Sequence, residues 1–265
     1  MPHMAKPPLA AYGNFSNFAS IMVKKDRFIS FVWQHLWLLF SLYFMTLGVA
    51  LTIRSDLGSS VISSIPMAVT MAGDAGMAPA LSVGEYTYIM NVVLVGVQLL
   101  ILGRRFEPVQ LFQLVIGTVF GMLLDLNMAL TAPLSADSMP ARVAMQLGGC
   151  VVLGVAIAFE VRCGSVTMPG EGVPAAISRA KGTPFAKAKI ITDICLVAIA
   201  VALGYAFFGR WLVNVVGPGT LFAMVFVGVV VRFTDRRIGW FDRVLHYRPG
   251  FRRYVYGLAR HIRRS

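Results

Sequence analysis

Six apolar runs, each close to the length of a membrane crossing, constrain this chain more than anything else in it. They lie at about 31–53, 85–103, 109–130, 143–161, 187–208 and 211–232. A helix rises about 1.5 Å per residue and bilayer hydrocarbon is about 30 Å thick, so runs of this length are read as spanning helices. With 57% hydrophobic and 14% charged residues and a mean hydropathy of +0.71, a water-soluble enzyme, a disordered polar chain and a disulfide scaffold are all excluded. The expected fold is all-α: a polytopic membrane protein with six transmembrane helices. Two further stretches, 59–72 and 168–180, are apolar but too short to cross and are rich in Gly, Ser and Pro. Irregular backbone at membrane depth needs protein or a wet cavity to satisfy its amides, so these stretches are expected to be interrupted, re-entrant elements.

The basic residues give the direction. Lys6, Lys24, Lys25 and Arg27 precede the first span; Arg104 and Arg105 follow the second. Arg162, Arg179, Lys181, Lys187 and Lys189 follow the fourth, and ten more lie from Arg232 onward. All of these fall on one side, leaving Arg54, Arg142 and Arg210 for the other, and the positive-inside rule then puts both termini in the cytoplasm of a bacterial inner membrane. The first 30 residues hold no short apolar core followed by a small-residue cleavage site, so no removed signal peptide is expected. The expected organisation is an N-terminal cytoplasmic arm (1–30), a first membrane unit (31–130), an external linker (131–142), a second membrane unit (143–232) and a basic tail (233–265).

A net charge of +12 points to nucleic acid in a soluble protein, but here the tail accounts for it. Arginines alternate there with Trp240, Phe241, Tyr247, Phe251, Tyr254 and Tyr256, a mixture suited either to an amphipathic segment on anionic lipid or to a disordered tail that sets topology. Cys150, Cys163 and Cys195 have no ligand spacing and are read as packing residues.

The two halves echo each other. Leu47-Gly48-Val49-Ala50 returns as Leu153-Gly154-Val155-Ala156, and the same offset aligns Gly58-Ser59 with Gly164-Ser165. With a slightly smaller offset Asn91 meets Asp193, and Ile116-Gly117-Thr118-Val119-Phe120 meets Pro218-Gly219-Thr220-Leu221-Phe222. Each half has three crossings, an odd number, so the second copy is expected to enter the membrane inverted. Inverted repeats commonly place a solute site between their interrupted helices near the midplane; a duplication retained for packing alone is the alternative.

The pattern Gly-Val-Ala-Leu-Thr-Ile-Arg-Ser-Asp-Leu-Gly within Leu47–Pro66 resembles the bacterial integral membrane proteins of the YczE/YyaS/YitT type. So does the stretch from Met168 to Val231, with Pro169-Gly170-Glu171-Gly172, Lys187, Asp193 and Gly219-Thr220. The resemblance covers roughly residues 35–232 and implies a polytopic inner-membrane protein with no assigned substrate. Many members of that group carry Gly-Pro-x-Asp where this chain has Pro169-Gly170-Glu171-Gly172.

Charge inside a membrane segment marks function by default. Arg54 and Asp56 end the first helix, and Glu160 and Arg162 stand in their places in the second half with the signs exchanged. These residues either hold a solute, with Arg54 and Arg162 on an anionic group, or satisfy helix ends as snorkelling charges. Gly58, Ser59, Gly164, Ser165, Gly170 and Gly172 fall where short helices begin, and backbone N–H groups there favour anions. Asp56, Glu160, Glu171 and Asp193 are candidates for ion or proton coupling, and Asn91 is a candidate buried polar group. Gln113, Gly117, Gly121 and Asp125 recur every four residues on one helical face, as a packing seam or as a seam that presents a coupling carboxylate.

No nucleophile triad, metal-ligand cluster or phosphate loop is visible, so no enzyme, cofactor or metal is expected. The expected partners are a small polar or anionic solute and, at the tail, anionic lipid; a homo-oligomer is compatible with the pattern. The function expected is secondary transport, with a membrane scaffold acting through the basic tail as the rival.

Overall fold

The computed structural model describes residues 10–163 and 168–241, with side chains from residue 32 onward, Ala186 excepted. Gly164, Ser165 and the tail from residue 242 lie outside the described residues. Eight α-helices follow one another among those described: α1 Ala10–Arg54, α2 Val61–Asp74, α3 Val83–Leu102, α4 Phe112–Leu130, α5 Met139–Arg162, α6 Pro169–Lys181, α7 Phe185–Phe208 and α8 Pro218–Arg237. Six segments are long and apolar enough to span a membrane: Val32–Arg54, Val83–Arg105, Pro108–Leu130, Met139–Arg162, Lys187–Phe208 and Pro218–Trp240. The protein is therefore a multi-pass helical membrane protein, with α2 and α6 as its two short elements.

The starts of two spans differ from the hydropathy pattern, each for a local reason. Residues 211–217 are apolar enough to read as the start of the last span, yet Trp211 donates from Nε1 to the Val216 carbonyl at 2.6 Å and folds the segment into turns. Pro218 then takes the first helical turn of α8, where its missing N–H costs nothing. α5 starts early, at Met139, because Ser138 caps it, its side chain accepting from the Ala141 N–H.

α1 and α5 form the central pair and run antiparallel. Gly48 lies against Leu153 and Gly149, Gly149 lies against Thr52, and Ser55 reaches Gln146, so the register advances on one helix as it retreats on the other. A Cβ on Gly48 would sit 2.7 Å from the Leu153 nitrogen, so a glycine is what lets the axes approach. α4 packs on the outside of α1 and α8 on the outside of α5, while α3 covers α6 and α7 covers α2. The main core, with Leu42, Val49, Phe120, Leu124 and Leu153, lies among α1, α4 and α5.

The chain exposes Arg104, Arg105, Arg179 and Lys181 at one end, here called the basic end, and carries Arg54, Arg142 and Arg210 at the far end. Phe241, placed by the sequence pattern in the interfacial tail, is instead fully buried, edge-on to Trp37 and Phe159. Cys150 and Cys163 pack inside, whereas Cys195 is exposed on α7.

Candidate functional site

The two short helices set the site. α2 starts at Ser60, whose hydroxyl pairs with that of Ser63 at 2.7 Å, and α6 starts at Met168 with Pro169 in its first turn. Their first turns meet: a Cβ on Gly170 would collide with the Ile62 side chain. Each also carries an interior proline, Pro66 and Pro174. A proline withholds the N–H that would bond the carbonyl four residues earlier, which falls on Ile62 and Gly170 at this meeting point.

A cavity of about 390 Å³ opens beside that junction, with α7 on one side and α8 on the other. Met45, Val49, Phe120, Leu153 and Ala223 wall its deeper part, and Val161, Phe185 and Val231 extend it toward the basic end. Its polar groups among the described residues are Ser60, Glu171, Lys189 and Asp193. Lys189 Nζ donates to Asp193 Oδ1 at 2.8 Å, one helical turn away, and Asp193 is 7% exposed. Glu171 is half-buried and has no Lys, Arg or His nitrogen within 4 Å among the described residues.

α7 and α8 hardly touch, and this is where the two halves of the molecule part company. α3 and α4, next to each other in the same way along the chain, are in close contact. Gly121 lies under the Gly84 carbonyl, and a Cβ on Gly117 would come within 2.9 Å of the Asn91 amide nitrogen. Asn91 is fully buried, and neither its Oδ1 nor its Nδ2 has a hydrogen-bond partner. The glycine face of α4 is thus a packing seam. Asp125 at its far end accepts from Ser82 Oγ at 2.6 Å and from the Gly84 N–H at 2.8 Å, capping α3.

At the far end the backbone is stitched shut. Ser59 donates from both its N–H and its hydroxyl to the Val215 carbonyl, at 3.0 and 2.9 Å, and the Gly219 N–H donates to the Leu57 carbonyl at 2.8 Å. Gly58 adopts φ +117° against Thr220 and Gly217, a position closed to a residue with a Cβ.

The remaining expected residues are placed away from the cavity. Arg54 donates to the Met128 carbonyl at 2.7 Å, and Asp56, exposed, pairs with Arg142 at 3.2 Å. Arg162 pairs with Asp235 at 2.8 Å and also donates to the Asp235 and Ile238 carbonyls, tying α5 to the end of α8. Glu160, 3% exposed, is buried near the end of α5, close to the start of α6 and to Glu171. Gly172 lies against the Gln98 amide, which is paired with Gln113 at 2.9 and 3.2 Å. The structure thus brings Glu171 and Asp193 together and leaves Arg54, Asp56 and Arg162 outside the cavity. It adds Lys189 and Ser60, which sequence reasoning passed over. Lys189 was legible as a candidate, because a Lys four residues before an Asp on one helix is a face-sharing pair.

The class defined by this fold and site is a six-span helical membrane protein with a charged cavity between two of its spans. The chain belongs to the family of unknown function DUF6198, whose profile matches residues 32–236. No curated protein and no solved structure matches it.

Proposed function

We propose that the protein is a secondary transporter of a small solute, built from two inverted repeats in the manner of its YczE/YyaS/YitT-like pattern, with the cavity between α7 and α8 as its solute site. Both termini and the basic end face the cytoplasm of a bacterial inner membrane on this reading, as the Lys and Arg distribution favours.

The observation that carries it is the unequal state of two equivalent seams. Under the repeat, Asn91, Gly117 and Gly121 correspond to Asp193, Gly219 and Ala223. The first set is closed between α3 and α4, with the Asn91 amide buried and unpartnered; Asp193 and Ala223 line an open cavity. A buried amide without partners costs free energy that a state admitting water there would recover. Exchange of the two seams, α7 closing on α8 while α3 parts from α4, would open the cavity alternately to the two sides. That is the rocking of one repeat against the other by which many such transporters work.

The test is labelling from outside intact cells. Cys150, Cys163 and Cys195 are first replaced by serine or alanine, and Asn91→Cys is then exposed to a membrane-impermeant maleimide. Slow labelling is expected, because the α3–α4 seam opens outward part of the time. No labelling above the cysteine-free background, in protein that is correctly inserted, overturns alternating access.

A further inference from the structure

We infer that the cavity between α7 and α8 takes an amphipathic organic cation, a positive group carried on an apolar body; this rests on the transporter reading and names its solute class. The wall is overwhelmingly apolar, from Met45 and Phe120 at depth to Phe185 near the basic end, and such a wall recognises a hydrophobic body rather than a small hydrated ion. The charges in it are few and unequal. Lys189 is engaged with Asp193 on its own helix, so that pair is internally neutral. Glu171, on α6, makes no ion pair within 4 Å among the described residues; Lys189 is the one cation on the described wall and faces two carboxylates, so the cavity keeps an excess negative charge, with buried Glu160 close by. A carboxylate beside a largely apolar chamber is stabilised by a counter-charge brought in from outside.

Apart from Lys189, which is already paired, the arginines that an anion would need lie elsewhere among the described residues. Arg54 is held by the Met128 carbonyl, and Arg162 by Asp235 and two carbonyls, neither of them on the cavity wall. The first turn of α6 contributes partial positive charge, but Glu171 stands in that same turn and answers it. What remains is an excess negative charge on the wall of a largely apolar chamber.

Two probe ions of the same shape and opposite charge, tetraphenylphosphonium and tetraphenylborate, separate charge from hydrophobicity. Saturable binding of each to the full-length protein in detergent is measured by equilibrium dialysis for wild type, Glu171→Gln and Lys189→Gln. Wild type is expected to bind the phosphonium at least about tenfold more tightly than the borate, as a desolvated charge contact requires. Glu171→Gln should remove most of that preference. Lys189→Gln should move affinity the other way, tightening the phosphonium as Asp193 is freed, a gain that no folding defect can imitate. Equal or tighter binding of the borate to wild type overturns the charge assignment while leaving the cavity as a solute site. Binding of neither ion, or unchanged phosphonium affinity in Glu171→Gln, overturns the assignment outright. Whether the two sides of the membrane are reached in turn is decided separately by the labelling of Asn91→Cys, so either idea can fail alone.

Discussion

Ser55, one residue past the end of α1, donates its hydroxyl to Gln146 Oε1 of α5 at 2.7 Å, a side-chain bond that ties the two central helices together near the far end. The same amide donates from Nε2 to the Gly219 carbonyl at 2.8 Å, so one buried glutamine, 3% exposed, joins α1, α5 and α8. In an apolar surrounding the groups left behind by its removal have no water to turn to. Gln146→Leu is expected to lower stability by about 1–2 kcal/mol, the range for losing interhelical hydrogen bonds of this kind. Unfolding in mixed micelles with rising dodecyl sulfate measures it, and an unchanged midpoint would mean that the amide is not a structural tie.

Gly58 and Gly76 both have positive φ, +117° and +73°, but only Gly58 is hemmed in, by Gly217 and Thr220, whereas a Cβ at Gly76 would meet nothing within 4 Å. Gly76→Ala should cost only the left-handed backbone penalty of about 1–2 kcal/mol. Gly58→Ala adds a collision at the backbone stitch between the 57–59 and 215–219 segments, and is expected to be the more damaging of the two. Comparing the two melting temperatures in detergent decides it; equal losses would show that the stitch yields freely.

Arg162 is the residue whose role changes most between sequence and structure. Its contacts with Asp235 and the Asp235 and Ile238 carbonyls predict that Arg162→Ala loosens α8 from α5 and lowers the melting temperature. Ligand affinity at the cavity should stay within about twofold, since a loss of less than about 0.4 kcal/mol is expected for a charge outside the site. Arg142→Ala, which breaks an exposed pair with Asp56, should change stability by less than about 1 kcal/mol. A large loss of affinity in folded Arg162→Ala would return this arginine to the solute.

Hydropathy and the glycine and proline punctuation made the eight helices legible. α2 and α6, at Val61–Asp74 and Pro169–Lys181, fall within two residues of the short stretches read from composition. What they could not show is which polar groups share a chamber. Arg54 and Arg162 stand out in sequence because charges at span ends are conspicuous, yet such ends are also where helix-terminal carbonyls wait for donors, and those carbonyls took both guanidiniums. Glu171 and Asp193 are separated by 22 positions, and only the fold of α6 against α7 makes them neighbours. The difference between a closed α3–α4 seam and an open α7–α8 seam is also invisible in the sequence echo that sets Gly117 beside Gly219. Such an echo matches residue types and carries no information on how closely the helices that bear them pack.

The cavity itself can be tested without touching a charge. Gly228 lies on α8 at the cavity wall, and a Cβ there would meet no atom within 4 Å, so a larger side chain has room to enter. Glycine within a helix is worse than leucine by roughly 0.5–1 kcal/mol, so Gly228→Leu should leave stability unchanged or raise it. The added side chain would occupy space that a solute needs. Tetraphenylphosphonium binding is expected to fall at least about tenfold, a change of about 1.4 kcal/mol, while the melting temperature holds or rises. That combination can come only from filling the chamber. A variant that is as stable as the wild type and binds as well would place the solute elsewhere in the molecule.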